Sequence, residues 1–256
     1  MSALNRHFIL FRDIPLIYGI IPKAANSSIK SSLCDLLKRD AIGDVKTTAD
    51  RFWRRHTYGE TKLITAKQAR RLRNTHYSFS FVRNPFDRIV AAYNNKILEI
   101  DTVPEPMRKI GLYHHMPFDE FLQLICEANP EKLDNHVRPQ SEILLADGKL
   151  VPNFVGRIEH MHHHWRRLRL CMEKENLPTL GDLQQKNVRR TERNDIRYYF
   201  KSKTLINLAA ERYSMDFKLF YSEYSRKALL SGKALKKKPP LIKKRKKQLS
   251  STLLSK

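Results

Sequence analysis

The chain has 256 residues, 41% of them hydrophobic, with 12 Phe, 10 Tyr and 2 Trp, which is apolar material for one folded domain and excludes global disorder. Its longest apolar runs, such as Pro15–Ile21, fall far short of the ~20 residues of a membrane-spanning helix, and Arg6, Arg12 and Asp13 interrupt the apolar N-terminal stretch that a signal peptide would need. Lys and Arg number 49 against 26 Asp and Glu, a net charge of +23 that calls for an anionic partner.

The charge is uneven. Residues 226–256 hold 12 Lys or Arg and no acid, which leaves +11 for the residues before them. Lys236-Lys-Lys-Pro-Pro240 and Lys243-Lys-Arg-Lys-Lys247 are like-charge tracts beside prolines, the composition of a disordered tail. The expected division is therefore a folded domain over 1–225 and a basic tail over 226–256. Cys34, Cys126 and Cys171 are too few and too widely spaced for a disulfide framework or a zinc site. They suit a reducing cytoplasm, with the tail able to seat the protein peripherally on the anionic inner face of a membrane.

Pro15-Leu-Ile-Tyr-Gly-Ile-Ile21 is a short continuous apolar run and predicts a strand. The small polar stretch Pro22–Ser28 follows, and Ile29, Leu33, Leu36 and Leu37 then mark one face of a helix to Lys38. Residues 40–62 read as irregular. Thr65-Ala-Lys-Gln68 has the spacing of a capping box opening a short helix. Tyr77-Ser-Phe-Ser-Phe-Val82 alternates like a strand, and Pro85 suits the first turn of a helix to about Glu99. Pro117 opens another helix through Glu127, 129–149 reads as a long loop, and Val151–Val155 as a third strand. A helix begins near Glu159, and a long final one, capped by Asn194 or Asp195, runs through Tyr213. Tyr198, Tyr199, Tyr213 and Phe217 read as core. Strands alternating with helices predict an α/β fold with a mostly parallel central sheet flanked by helices.

Two segments carry chemistry. Pro22-Lys-Ala-Ala-Asn-Ser-Ser28 lies between strand and helix, where backbone N–H groups and the helix dipole favour an anion. Lys23 and the hydroxyls of Ser27 and Ser28 add charge and donors, although the glycines of GxxxxGK[ST] are absent. Phe81-Val-Arg-Asn-Pro-Phe-Asp87 puts Arg83 at the carboxyl end of the next strand, the edge where α/β sheets bind ligands, in place for a second phosphate.

Together these segments resemble the carbohydrate sulfotransferases, the Golgi chondroitin, dermatan and heparan 2-O types and their bacterial relatives. Ile21–Leu33 resembles the family's 5′-phosphosulfate loop and Phe81–Tyr93 its 3′-phosphate motif. The likeness continues through Arg138-Pro-Gln140, Phe154–Glu159 and Tyr213–Phe220. The resemblance implies a P-loop-like sulfotransferase fold. It also implies sulfuryl transfer from 3′-phosphoadenosine 5′-phosphosulfate (PAPS) to a hydroxyl of a carbohydrate acceptor, without a metal. The acceptor would be a polysaccharide, oligosaccharide or glycolipid, and the basic body allows an acidic one. In that scheme Pro22, Lys23, Ala24, Ala25, Asn26, Ser27 and Ser28 hold the 5′-phosphosulfate, Lys23 stabilises the leaving group, and Arg83 binds the 3′-phosphate. The family's second motif has a serine where this chain has Ala91, with Asn94, Asn95 and Lys96 as candidates to replace its contact.

A general base with a pKa near neutrality points to histidine. The resemblance puts His56 first, in the stretch between the two motifs, with His136 as the other candidate. Glu60, or no classical base, remains open. His160-Met-His-His-His164 fans around a helix and does not read as a metal site, while Arg189 and Arg190 read as a basic loop. Two other functions stay open: a nucleotide kinase of P-loop type, which Mg²⁺ and ATP dependence would reveal, and a nucleic-acid- or polyanion-binding protein on a divergent sulfotransferase fold. No helix-turn-helix, zinc finger or RNA-binding aromatic motif supports the latter, so no nucleic-acid partner is expected.

Overall fold

A computed structural model describes residues 6–39, 45–183 and 195–231. Strands β1 (Phe8–Phe11) and β2 (Leu16–Gly19) form a hairpin, followed by α1 (Asn26–Cys34), α2 (Asp50–Arg55), β3 (Thr61–Ile64) and α3 (Ala66–Arg71). Next come β4 (Tyr77–Val82) and α4 (Pro85–Tyr93), which runs on as a π-helical segment, Asn94–Glu99. Helices α5 (Glu105–Arg108), α6 (Phe118–Glu127) and α7 (Gln140–Leu144) precede a small hairpin, β5 (Leu145–Ala146) and β6 (Lys149–Leu150). Strand β7 (Phe154–Arg157) and α8 (Met161–Lys174) follow, and α9 (Lys203–Arg212), α10 (Ser214–Phe220) and α11 (Arg226–Ser231) close the described chain.

The central sheet has the order β3-β1-β2-β4-β7. β1 is antiparallel to β2 and β3, whereas β2–β4 and β4–β7 are parallel. The α/β class is as expected, but the sheet is mixed rather than mostly parallel. The cause is local: only a short turn separates Phe8–Phe11 from β2, and a short turn can return a strand only antiparallel. The parallel pairs are confined to β2, β4 and β7.

Alternation in β4 has a packing cause. Phe79 and Phe81 enter one core layer with Phe154 and Trp165. Ser78 and Ser80 are also buried, and their hydroxyls donate to Asn153 Oδ1 at 2.6 Å and to the Gly19 carbonyl at 2.7 Å. Gly156 on β7 lies under the Phe81 ring, where a Cβ would come within 2.3 Å of the ring. On the opposite face, α4 and α6 pack Phe86, Ile89, Tyr93, Phe121 and Leu122 into a second layer.

Arg88 on α4 joins three segments. It is 1% exposed; Nε donates to the Pro22 carbonyl at 3.1 Å, Nη1 to that of Arg138 at 2.8 Å and Nη2 to that of Asn135 at 2.7 Å. A second brace is Asp216, fully buried, whose carboxylate accepts from the backbone N–H groups of Gln140 and Ser141 at 2.8 and 2.7 Å and so caps α7. Gln140 in turn accepts from the Arg83 N–H at 2.9 Å and donates to the Arg83 carbonyl at 2.8 Å. Tyr213 donates to the Val137 carbonyl at 2.5 Å. The Arg138-Pro-Gln140 and Tyr213–Phe220 segments thus frame the turn that carries Arg83.

Several sequence expectations shift. Helix α1 starts three residues before Ile29 and ends at Cys34 rather than Lys38. The irregular 40–62 stretch contains α2 and the start of β3, and the 129–149 loop contains α7 and the β5–β6 hairpin. The third strand runs over Phe154–Arg157. Asp195 caps only a 3-10 turn, Ile196–Tyr198, and Ser202 caps α9 separately; Asn194, Arg189 and Arg190 lie outside the described residues. Ser225 is not the end of the ordered fold. Leu229 of α11 is 1% exposed, and its carbonyl accepts from Asn84 Nδ2 at 3.0 Å.

Two stability outcomes follow. Arg88→Met, similar in length, leaves three buried carbonyls without their donor and costs about 3–5 kcal/mol in denaturant unfolding. Truncation after Ser225 removes the buried Leu229 and lowers stability by about 2–3 kcal/mol in the same measurement.

Candidate active site

The loop after β2 is shaped by two residues in left-handed backbone, Lys23 at φ 66° and Ala25 at φ 56°. Left-handed conformation is unfavourable for non-glycine residues, and alternating it with right-handed backbone makes a concave nest of N–H groups. Ala25 is the N-cap of α1 and makes no side-chain cap bond, so the helix start is set up for an external anion rather than for an internal cap. The Tyr18 hydroxyl, buried in the sheet, donates to Asn26 Oδ1 at 3.2 Å and fixes the first helical residue. Ala24 and Ser28 are buried, while Lys23, Ala25, Asn26 and Ser27 are partly exposed.

The second motif closes on this loop. Arg83 donates from Nη1 to the Lys23 carbonyl at 3.3 Å, and its own backbone is held by Gln140 on both sides. Asp87, one turn on, stands 4.0 Å from the guanidinium; burial pushes its carboxyl upward against the pull of Arg83. The Lys23 ammonium donates to Asn95 Oδ1 at 2.5 Å, and Asn95 Nδ2 donates to Glu99 at 3.1 Å. Asn95 lies in the π-helical segment, one turn beyond Ala91. It already reaches the loop from the helix that lacks the family serine. Lys96 follows it, and Asn94 accepts from the Tyr199 hydroxyl at 2.7 Å.

His136 belongs to this neighbourhood. Its Nδ1 bonds to Asp134 Oδ1 at 2.7 Å, and its backbone N–H donates to the same oxygen at 2.8 Å. Burial pushes the imidazole below the ordinary histidine range; Asp134 opposes this, and the charges of Lys96 and Lys23 add to it. A lowered pKa means a neutral ring at neutral pH. With Nδ1–H directed at the carboxylate, Nε2 keeps its lone pair. The Arg88 bridge explains the proximity, since one guanidinium spans the Pro22 and Asn135 carbonyls.

His56 is placed elsewhere. It caps the C-terminus of α2 ahead of β3, whose first residue, Thr61, stands opposite Phe11. Phe8 at the other end of β1 faces both Gly19 and Ile64, so β3 starts level with the beginning of β2, whereas Lys23 follows its end. Glu60 is likewise at that far edge, accepting from the Lys38 N–H at 2.8 Å. The His56 Nε2 is buried without a hydrogen-bond partner. Of the histidine tract, His164 is pushed down to about 4 by burial, and its Nδ1 accepts from the Arg157 N–H. Among the described residues no three His, Cys, Asp or Glu side chains gather as a metal site.

Arg88, Asp134 and Asp216 were not singled out from the sequence, and Asn95 only as one of three candidates to replace the contact missing at Ala91. Asp134-Asn-His136 carried a local signal, a carboxylate two residues before an imidazole. Arg88 and Asp216 carried none, because their partners are backbone groups remote in the chain. The assembled site offers an N–H nest with an ammonium, a guanidinium fixed at its rim, and a neutral imidazole oriented by a carboxylate. That set can hold two phosphate-like groups and accept a proton beside them.

The model of the sulfotransferase family matches residues 6–222. Over 155 residues the chain is 27% identical to carbohydrate sulfotransferase 14 of Danio rerio, a stretch covering 54% of this chain and 41% of that protein. The chain thus spans about two fifths of that relative's length. No solved structure matches the chain significantly. The relative corrects the expected location: the carbohydrate sulfotransferases it points to are Golgi membrane enzymes, so a cytoplasmic protein seated on an inner membrane face is not what the match supports. No described helix is long and apolar enough to cross a membrane. A match that takes in the loops after β2 and β4, the Asp134–His136 pair and the Asp216 brace makes the assignment direct: the chain belongs to the sulfotransferase family.

Proposed function

We propose that the protein transfers a sulfuryl group from PAPS to a hydroxyl of a carbohydrate acceptor. The observation that carries this reading is the convergence of Lys23 and Arg83 on one loop, with the Asp134–His136 pair inside the field of Lys23. The nest from Pro22 to Ser28 receives the 5′-phosphosulfate. Arg83 pairs with the 3′-phosphate, the group that distinguishes PAPS from ordinary adenine nucleotides. Transfer of this loose, in-line kind asks mainly for positioning and for neutralisation of the departing oxygen, by analogy with phosphoryl transfer.

His136 Nε2 takes the proton of the acceptor hydroxyl as its oxygen bonds to sulfur. The bond between sulfur and the bridging oxygen breaks, and Lys23 stabilises the charge left on adenosine 3′,5′-bisphosphate. Asp134 holds the ring in the required tautomer and stabilises the imidazolium that forms. In this assignment His136 is favoured over His56 by its seat beside Lys23. Asn95 keeps the Lys23 ammonium positioned before the donor arrives.

Calorimetry in metal-free buffer tests the donor half. Wild type prefers adenosine 3′,5′-bisphosphate to AMP and ATP, and Arg83→Ala lowers bisphosphate affinity about 10- to 100-fold and AMP affinity by less, so that the preference shrinks. Equal binding of all three nucleotides overturns the reading. For the base, sulfate transfer from labelled PAPS to desulfated chondroitin is followed against pH. The rate falls on acidification through an apparent pKa below the ordinary histidine value, because only the neutral ring accepts a proton. His136→Ala costs about 10²- to 10⁴-fold, and His56→Ala leaves the rate unchanged. Asp134→Asn moves the acid limb to lower pH, since the carboxylate is what raises the His136 pKa.

A further inference from the structure

An open cleft of about 480 Å³ lies beside the π-helical segment, lined by Tyr93, Phe118, Asp119, Tyr198, Tyr199 and Lys201 among others. Tyr93 and Tyr199 are 6% exposed and form its floor, whereas Tyr198 is 59% exposed. An aromatic ring left so open next to a buried aromatic stack is unusual for a residue that helical spacing assigns to the core. Phe118 meets Tyr199 with ring centroids 5.0 Å apart, and the Tyr198 ring packs edge-on against Tyr199 at 5.4 Å. The floor is therefore rigid. At the mouth, the Lys201 ammonium stands 4.6 Å from the Tyr198 ring centroid, and Asp119 is exposed at the start of α6.

This combination suits a sugar. A pyranose presents an apolar C–H face that packs on an aromatic ring, and a rim of hydroxyls that needs donors and acceptors. Lys201 supplies the donor and Asp119 the acceptor. The cleft is also wired to the transfer site. The Tyr199 hydroxyl donates to Asn94, and the adjacent Asn95 holds the Lys23 ammonium. A ring seated here leaves the transfer site open, because none of Lys23, Arg83 and His136 lines the cleft. We infer that the Tyr198–Lys201–Asp119 cleft is an acceptor subsite that binds a pyranose ring of an oligosaccharide next to the sugar being sulfated. The inference rests on the sulfotransferase reading for the direction in which the chain is laid, but the binding itself is independent of it.

The test uses the full chain with two probes, chitohexaose and unsulfated chondroitin hexasaccharide, by saturation-transfer NMR and calorimetry, with and without adenosine 3′,5′-bisphosphate. At least one hexasaccharide binds. Tyr198→Ala weakens it about fivefold to tenfold, and Lys201→Ala weakens it less. Bisphosphate affinity stays unchanged in both variants, and because Tyr198 is solvent-exposed the fold is retained, which circular dichroism checks. Unaltered oligosaccharide affinity in Tyr198→Ala overturns the subsite, as does the failure of both hexasaccharides to bind wild type. Loss of the donor reading shows separately, as absent bisphosphate binding by wild type.

Discussion

The Arg88 guanidinium ties the loop that carries Lys23 to the segment that carries His136. Its three carbonyl partners belong to the donor loop and to the segment carrying His136, so the distance from the ammonium to the imidazole is set by a planar fork rather than by either loop. A flexible ammonium could not substitute, because three acceptors in fixed directions need the rigid donor geometry of arginine. Burial opposes the charge, and Tyr213, Asp216 and Asp134 partly compensate. Those groups are the same ones that brace the surrounding loops. The electrostatic support of Arg88 and the mechanical support of the site are one set of atoms.

The donor loop solves without glycine a problem usually solved with it. Left-handed backbone at Lys23 and Ala25 is held in place by neighbours: the Pro22 carbonyl by Arg88, the Lys23 carbonyl by Arg83 and the Lys23 side chain by Asn95. Strain of this kind persists where the surroundings over-determine it, and it fits a surface that must be concave before its ligand arrives. Arg83 contributes to the loop's shape through its Lys23 contact as well as to the charge at its rim. The two motifs are structurally interdependent, which is why neither was decisive alone in the sequence.

What was legible in the chain was what depends on near neighbours. The apolar run before Pro22, the Tyr77–Val82 alternation, the Thr65–Gln68 capping box, with both reciprocal bonds present, and Pro85 at the helix start all rest on local physics, and the positions of the loops after β2 and β4 followed from them. Strand β1 was missed because its interrupted apolar stretch was weighed as a leader rather than paired with β2, and β3 because four residues carry little periodicity. The final helix was read as one piece since Ser202, its true cap, sits inside a continuous helical pattern. The choice of base turned on sheet register. Nothing near His56 in the chain says that β3 starts at the far edge of the sheet, and nothing near His136 says that Lys23 is close.

The π-helical segment has a further implication for how the chain tolerates length change. A wider turn accommodates an extra residue inside a helix without breaking it, which is why such segments gather at functional sites. Here Tyr93 before it and Ile97 within it are both buried, so the packed face is kept while Asn94, Asn95 and Lys96 project from the bulge. Removing one residue between Asn94 and Ile97 would favour a regular helix and keep Tyr93 and Ile97 on one face, now three positions apart. The bulge from which Asn95 reaches Lys23 would be lost instead. The loop around Lys23 thus leans on a wide helical turn, and a deletion that makes the helix more ideal would loosen it.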